Sequence, residues 1–314
     1  MSQLLVNQSL KKQYHDEIYK NLSPFFLEGF LKSRSSQWGY YIHDDIVIPI
    51  VFYKKIGIKY AQIVACPQHV DDQSFDIVLY LDGLNEKLKS NVDFLINPSA
   101  NAIFKAAPTY CNSHPFGTYW IDLNKEVEEL WGNVHAKHRN VIRNAEKKLC
   151  VIEETNDMNA FYDLLIMTYQ RSKKPPPDKT ALQKMMENMG KNIKLVLVKN
   201  SEGQIQGGVL LLWTLEGSYY LHGASISKPL TGAMNFLHWH CIKEMKANGV
   251  KKYDFMGARI NVEKGSKYES IQKFKQRFGC ELKKGVHWEE QFNPLKYYSF
   301  MCLKWCRDYV GIKR

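Results

Sequence analysis

Residues 193–222 read IKLVLVKNSEGQIQGGVLLLWTLEGSYYLH. Three runs rich in β-branched, leucine and aromatic residues stand out: Ile193 to Lys199, Ile205 to Trp213, and Ser218 to His222. Asn200-Ser201-Glu202-Gly203 and Glu216-Gly217 separate them, and both are hairpin turn signals. The stretch is therefore predicted to be a three-stranded antiparallel meander. Downstream, a helix is predicted from about Gly232 to Asn248, closed by Gly249 at C′. A short strand over Lys252 to Phe255 follows, then a loop from Gly257 to Lys267. The next helix is short, with Ile271, Phe274 and Phe278 spaced to face inward. A strand over Glu281 to Trp288 and an aromatic-rich helix from Pro294 to about Tyr309 complete the reading.

Upstream of the meander, Asn124 reads as an N-cap for a helix carrying Val127, Leu130, Trp131 and Val134. The apolar spacing continues through Val141, Ile142, Ala145 and Leu149. Arg139, Arg143 and Lys147 recur every four residues on the opposite side as a basic stripe. His138 falls on the apolar face, where a satisfied core histidine is expected. A helix after Asp157 places Phe161, Leu164, Leu165 and Thr168 inward and ends before Pro175-Pro176-Pro177, which cannot continue it. The first part of the chain echoes this order. Tyr40 to His43, Ile46 to Tyr53 and Ile58 to Ala65 read as a meander, followed by a helix from Phe75 to Lys89 and a strand over Val92 to Ile96. The fold class is α/β (α+β): two copies of one architecture, each a mixed, mostly antiparallel sheet flanked by helices. The predicted subdomains are 1–120 and 121–314.

The 314-residue length fits two cores, since domains run to about 100–200 residues. Aromatics at 13% exclude a disordered chain. The polar stretch from Met1 to Lys20 holds no apolar signal core, and no apolar run reaches the roughly 18–20 residues of a membrane span. A cytoplasmic location is expected, with the inner face of the membrane admitted. The seven cysteines are scattered without a C-x-x-C pair and read as reduced thiols. His238, His240 and Cys241 resemble a metal cluster, but neighbours two apart on a helix diverge, so no metal is expected. The net charge of +11 fits either a solvated lysine-rich surface or a polyanionic partner such as RNA.

Lys137-His138-Arg139-Asn140-Val141-Ile142-Arg143-Asn144-Ala145-Glu146-Lys147 is similar to the basic "R-x-x-I-R-x-A" helix of Fem-type transferases of the GNAT superfamily. Tyr253-Asp254-Phe255-Met256-Gly257, about twenty residues before Phe274-Lys275-Gln276-Arg277-Phe278-Gly279, resembles that family's "Y-D-F-x-G … F-K-x-x-F-G" ending. Gly117-Thr118 leading into Ile121-Asp122-Leu123 resembles the strand that opens its second half. The resemblance implies tandem GNAT-like subdomains and no tightly bound cofactor. It also implies an activated donor, aminoacyl-tRNA or acyl-CoA, and a nucleotide- or lipid-linked sugar or peptide acceptor from the cell envelope. The coiled-coil arm of some Fem enzymes is missing, and so is the R-x-x-G-x-G/A loop of acetyl-CoA enzymes. Gly232 and the helix that it opens remain to hold a pyrophosphate.

Acyl transfer needs a deprotonated nucleophile, stabilisation of the oxyanion and a proton for the leaving group. No G-x-S-x-G or Ser-His-Asp signature occurs, so direct attack without a covalent enzyme intermediate is expected. His222, at the expected splay of the central strands, reads as a base or a core histidine. Asp254 reads as a base or as a group that orients a neighbour. Lys275, placed on a face away from Phe274 and Phe278, matches the family lysine near the donor phosphates and reacting carbonyl; a solvent-facing lysine is the alternative. Arg277, also off the aromatic face, is a candidate for a further phosphate contact, and Arg171 lies where this architecture grips its acceptor. Tyr220 or Tyr219 faces the cleft, and Arg139 and Arg143 offer a surface to an anionic partner such as tRNA. The final helix, with Tyr297, Tyr298, Phe300, Trp305 and Tyr309 beside Lys296, Lys304 and Arg307, fits core packing or a peripheral membrane contact. Two further readings compete: a CoA-dependent N-acetyltransferase acting on an amino sugar, and a non-catalytic RNA-binding module.

Overall fold

The computed structural model describes residues 2–10, 22–67 and 76–312, with side chains as far as Cys306. Phe75 and the Arg307 and Tyr309 side chains of the predicted helices lie outside the described residues. The chain divides into two compact units, one of residues 1–118, 257–261 and 283–314, the other of 119–256 and 262–282.

In the first unit, β1 (Ser2–Val6) and α1 (Glu28–Arg34) precede the meander β2 (Gln37–His43), β3 (Ile46–Lys55) and β4 (Ile58–Ile63). β3 reads IVIPIVFY before its two lysines, a near-continuous apolar run suited to a strand covered on both faces, and Ile46 to Phe52 are buried. α2 (Ile77–Leu88) buries Ile77, Leu81, Leu84 and Leu88, spaced for one helix stripe, and its Asp76 cap accepts from Val78 N. The chain then enters β5 (Phe94–Ile96), parallel to β4 through Tyr60↔Phe94 and Gln62↔Ile96. The next strand, β6 (Ser113–Asp122), carries the chain from the first unit into the second.

The second unit repeats the plan. α3 (Val127–Asn133), α4 (Ala136–Lys147), β7 (Val151–Thr155), α5 (Met158–Arg171) and α6 (Lys179–Met189) lead to the meander. Its strands are β8 (Ile193–Lys199), β9 (Ile205–Thr214) and β10 (Gly217–Ser225). α7 (Ala233–Ala247) follows, then β11 (Lys252–Asp254), which is parallel to β10 as β5 is to β4. Each unit thus holds an antiparallel meander, a helix and one parallel strand in the same order. The sheet runs β6-β11-β10-β9-β8-β7 in the second unit and β1-β2-β3-β4-β5-β14 in the first, where β14 is Glu290–Gln291.

Four expectations need correction. Residues 283–314 pack in the first unit, not the second. β14 pairs antiparallel with β5, Trp288 meets Phe104 at 5.0 Å, and Tyr297 of the last helix meets Phe94 at 5.3 Å. Chain order hid this, because β12 (Ala258–Arg259), α8 (Lys267–Gln276) and β13 (Glu281–Trp288) intervene before β14 and α9 (Pro294–Ile312). Glu126, not Asn124, holds the N-cap position of α3, without a side-chain capping bond; the Asn124 side chain donates to Asp122 at 2.8 Å. Leu149 is exposed, because at φ 56 it has already left α4. Ile271 is 42% exposed, and α8 turns Lys275 inward in its place.

Candidate active site

The pairing of β10 with β11 is short. Ser218 registers with Tyr253 and Tyr219 with Asp254, and there β11 ends. β10 continues to Ser225 along β9, with a register shift between Tyr220 and His222. A bulge at this point adds one residue to β10, increases its local twist and re-aims its side chains. The two central strands therefore part just beyond Tyr219 and Asp254. Leu221 is the extra residue, and half-buried His222 follows it, back in register with Leu210. Tyr219 is buried with Lys252 Nζ 5.7 Å from its ring. Partly buried Tyr220 lies on the other side, edge-on to His238 at 4.6 Å, and burial raises its pKa above the ordinary phenol value. Its hydroxyl rests over Gly223, where a Cβ would stand 1.6 Å from the oxygen.

Past Asp254 the backbone turns sharply. Met256 (φ 50) and Gly257 (φ 57) are both left-handed, a conformation that a non-glycine residue adopts only under constraint. The constraint is visible at both ends of Met256. Its N–H donates to Asp254 Oδ1 at 2.6 Å, and its carbonyl accepts from Lys275 Nζ. Asp254 is 4% exposed and Lys275 is 7% exposed. Burial pushes the Lys275 ammonium down to about 8, against the opposing pull of Asp254 and Cys280. The expectation that Lys275 lies away from the buried face is thus corrected. Lys275, in the last turn of α8, and Phe278, just beyond its end, are both buried.

A cluster of rings backs this turn. His238, fully buried on α7, shares a hydrogen bond with the Tyr253 hydroxyl at 3.0 Å and lies 5.1–5.6 Å from Phe255, Phe274 and Phe278. Burial, with smaller contributions from His138 and Lys275, takes it down to about 3. His138 donates from Nε2 to the Phe274 carbonyl at 3.0 Å, as a satisfied core histidine should, and burial takes it down to about 4. Both are neutral imidazoles at pH 7. Sequence reasoning passed over Met256 and treated His238 only as a metal candidate. The signals were an aspartate two residues before a residue adjoining Gly257, and a histidine within an apolar helix face. His240, two residues on, points instead to Glu244 at 3.8 Å.

The remaining candidates are spread more widely. Arg171 donates to the Ser225 carbonyl at 2.8 Å and to Thr168 Oγ1 at 3.0 Å, tying α5 to the far end of β10. Arg139 donates to the Gly132 carbonyl at 2.9 Å and to Val134 O, closing the C-terminal end of α3. Arg143 lies 5.5 Å over the Trp131 ring. Two members of the basic stripe are therefore engaged with α3. The Arg277 carbonyl accepts from His135 N at 2.8 Å, and its charge adds to the lowering of His138. Gly232 caps α7 at φ 91, and a Cβ there would stand 2.0 Å from the Val141 carbonyl, so α7 and α4 meet through it. Asp254 and Lys275 thus converge on Met256, and His222 lies just beyond the Tyr219–Asp254 pair. Arg171, Arg139, Arg143 and Gly232 serve other junctions of the unit.

The family model for the acetyltransferase (GNAT) domain matches residues 135–268. A lipid II:glycine glycyltransferase of Staphylococcus haemolyticus (strain JCSC1435) is 30% identical over 92 residues, 29% of this chain. That match covers 22% of the glycyltransferase's length. The crystal structure of FemX is similar with a TM-score of 0.70 and 16% identity, over 93% of this chain and 98% of that one. L-PGS from Bacillus licheniformis is similar in fold at a TM-score of 0.53 and 12% identity, over 90% and 91% of the two chains. Joined to the repeated plan, the GNAT-domain match and the likeness to FemX show a tandem GNAT-like fold.

Proposed function

We propose that the chain is an acyltransferase that moves an activated acyl or aminoacyl group onto an amine or hydroxyl of a cell-envelope precursor. The observation that carries this reading is the parting of β10 and β11 at Tyr219 and Asp254, inside the GNAT-matched residues, with a bulge on one strand and a buried lysine behind the other. A bulged strand that has lost its neighbour leaves backbone groups available to a reacting carbonyl, the arrangement that oxyanion stabilisation requires. The 30% identity to a lipid II:glycine glycyltransferase supports an aminoacyl group and a lipid-linked acceptor over a simple acetyl group and an amino sugar.

Within this reading Lys275 supplies positive charge to the donor phosphates and the developing oxyanion. Asp254 orients: its carboxylate fixes the Met256 N–H and faces Lys275 across one residue. His222, next to the bulge, is the base candidate. Tyr220 and Arg171 border the acceptor side along β10, and Arg277, Arg139, Arg143 and Gly232 are the remaining candidates for anion contacts. No covalent enzyme intermediate is needed. Melting-temperature shifts test the donor, since a ligand that binds only the folded chain raises it. Charged tRNA should raise the melting temperature more than uncharged tRNA or CoA thioesters. A shift with CoA thioesters alone would replace the aminoacyl donor by acyl-CoA, and no shift with any of them would count against a transferase.

A further inference from the structure

We infer that the first unit carries a docking face for an anionic bilayer surface, formed by the β3–β4 hairpin tip and the exposed side of α9. The inference deepens the transferase reading by naming where the chain meets a membrane, but its observations lie outside the candidate active site. The hairpin turns through Ile56 (φ 48) and Gly57 (φ 75), the double left-handed geometry that favours Asn-Gly. A β-branched residue is the wrong choice for that backbone, yet Ile56 is there and is 78% exposed. Local conformation does not account for it, and burial does not either. Leu303, 50% exposed, lines the same groove from α9, and together they border a cavity of about 450 Å³ floored by Ile58, Tyr60, Ile96 and Phe300.

The rim charge is positive. Lys55 and Lys304 line the groove, and neither has an ion pair among the described residues. The acid that lines it, Glu289, is occupied by Asn97 Nδ2 at 2.6 Å and by the Tyr297 hydroxyl. Apolar groups projecting past a cationic rim complement a bilayer, where the chains take the apolar groups and lipid phosphates take the lysines. A second copy meeting this face about a two-fold axis would set the same lysines against each other. Nucleic acid is disfavoured because Tyr60, on the floor of the groove, is already stacked on Tyr53 at 5.0 Å and on Phe94 at 5.2 Å and has no free face for a base. No helix among the described residues is long and apolar enough to cross a membrane, so the contact is peripheral.

The test is co-flotation of the full chain with vesicles of phosphatidylcholine containing phosphatidylglycerol, and with vesicles of phosphatidylcholine alone. Binding is expected to the first and not to the second, and it should weaken as salt rises. Lys55→Ala and Lys304→Ala should each weaken it about fivefold. Leu303→Asp should abolish it. Ile56→Asn is the decisive variant, because asparagine suits the left-handed turn: the melting temperature should rise while vesicle binding falls. The inference is overturned by absence of binding, by salt-insensitive binding to both vesicles, or by full binding of Ile56→Asn and Leu303→Asp. A dimer in solution that Leu303→Asp dissociates would give the face to a second copy and overturn it too. Transfer to a soluble acceptor should be the same in all four variants, so a failure of the transferase reading shows separately.

Discussion

Lys275 holds a charge where water is scarce, and that has consequences on both sides of neutrality. Its pKa of about 8 in the folded chain lies below the ordinary lysine value of 10.5. Between those two values the unfolded chain keeps a proton that the folded chain has released, so stability rises with pH across that window. At neutral pH the buried ammonium costs about 3 kcal/mol relative to an ordinary lysine. Urea midpoints should show the wild-type chain gaining stability relative to Lys275→Met between pH 8 and 10.5; parallel curves would mean that the lysine is not buried as a cation. If the cation serves the reaction, turnover should fall as pH rises through about 8. Lys275→Met should lose about 10²–10³ in rate. Lys275→Arg should keep part of the activity without the alkaline limb, since a guanidinium stays charged. An alkaline limb unchanged in Lys275→Arg would assign it to another group. The sequence picked out Lys275 and Asp254 as candidates. It did not reveal their meeting at Met256, because a left-handed backbone at a methionine leaves no trace in hydrophobic periodicity.

At the scale of elements, helix ends carry more of the second unit than their polar residues suggest. Gly232 lets α7 begin at φ 91 against the Val141 carbonyl of α4. Gly232→Ala combines a left-handed penalty with a clash against backbone, and should cost about 2–5 kcal/mol in a denaturation experiment. A loss under 1 kcal/mol would mean that the α4–α7 junction yields readily. Arg139→Ala removes the closure of α3 and should cost about 1 kcal/mol, whatever it does to an anionic partner. These elements also show what patterning can and cannot report. Alternation and turn residues sufficed for both meanders, because hairpins are local. The inward face of α8 was misread at Ile271 because a buried lysine looks polar in sequence. The stripe of Arg139 and Arg143 read as a free surface because their partners, the end of α3 and the Trp131 ring, follow from a bend at Val134 and His135.

For the whole molecule, the repeated plan was legible from element order, whereas the return of β14 and α9 to the first unit was not. That return depends on Trp288 and Tyr297 finding Phe104 and Phe94, contacts 184 and 203 residues apart in sequence that no local pattern encodes. Both units share a sensitivity to acid. His138 and His238 in the second unit and His287 in the first are buried and held at about 4, 3 and 4. Their folded pKa values lie below the ordinary 6.5, so stability is present above that value and is lost as pH falls from 6.5 toward 4 and 3. At pH 5 the loss should be on the order of 1–2 kcal/mol per histidine, and His238→Phe should flatten the slope; a chain equally stable at pH 7 and pH 5 would refute their burial as neutral rings. The central claim is group transfer at the parting of β10 and β11. Its most direct measurement is mass spectrometry of a lipid II-type acceptor incubated with the chain and glycyl-tRNA. The account predicts an added aminoacyl or acyl mass, from glycyl-tRNA or from an acyl-CoA donor, that appears with wild type and drops by about 10²–10³ in rate with Lys275→Met. An unmodified acceptor, with no transfer from acyl-CoA donors either, would contradict it.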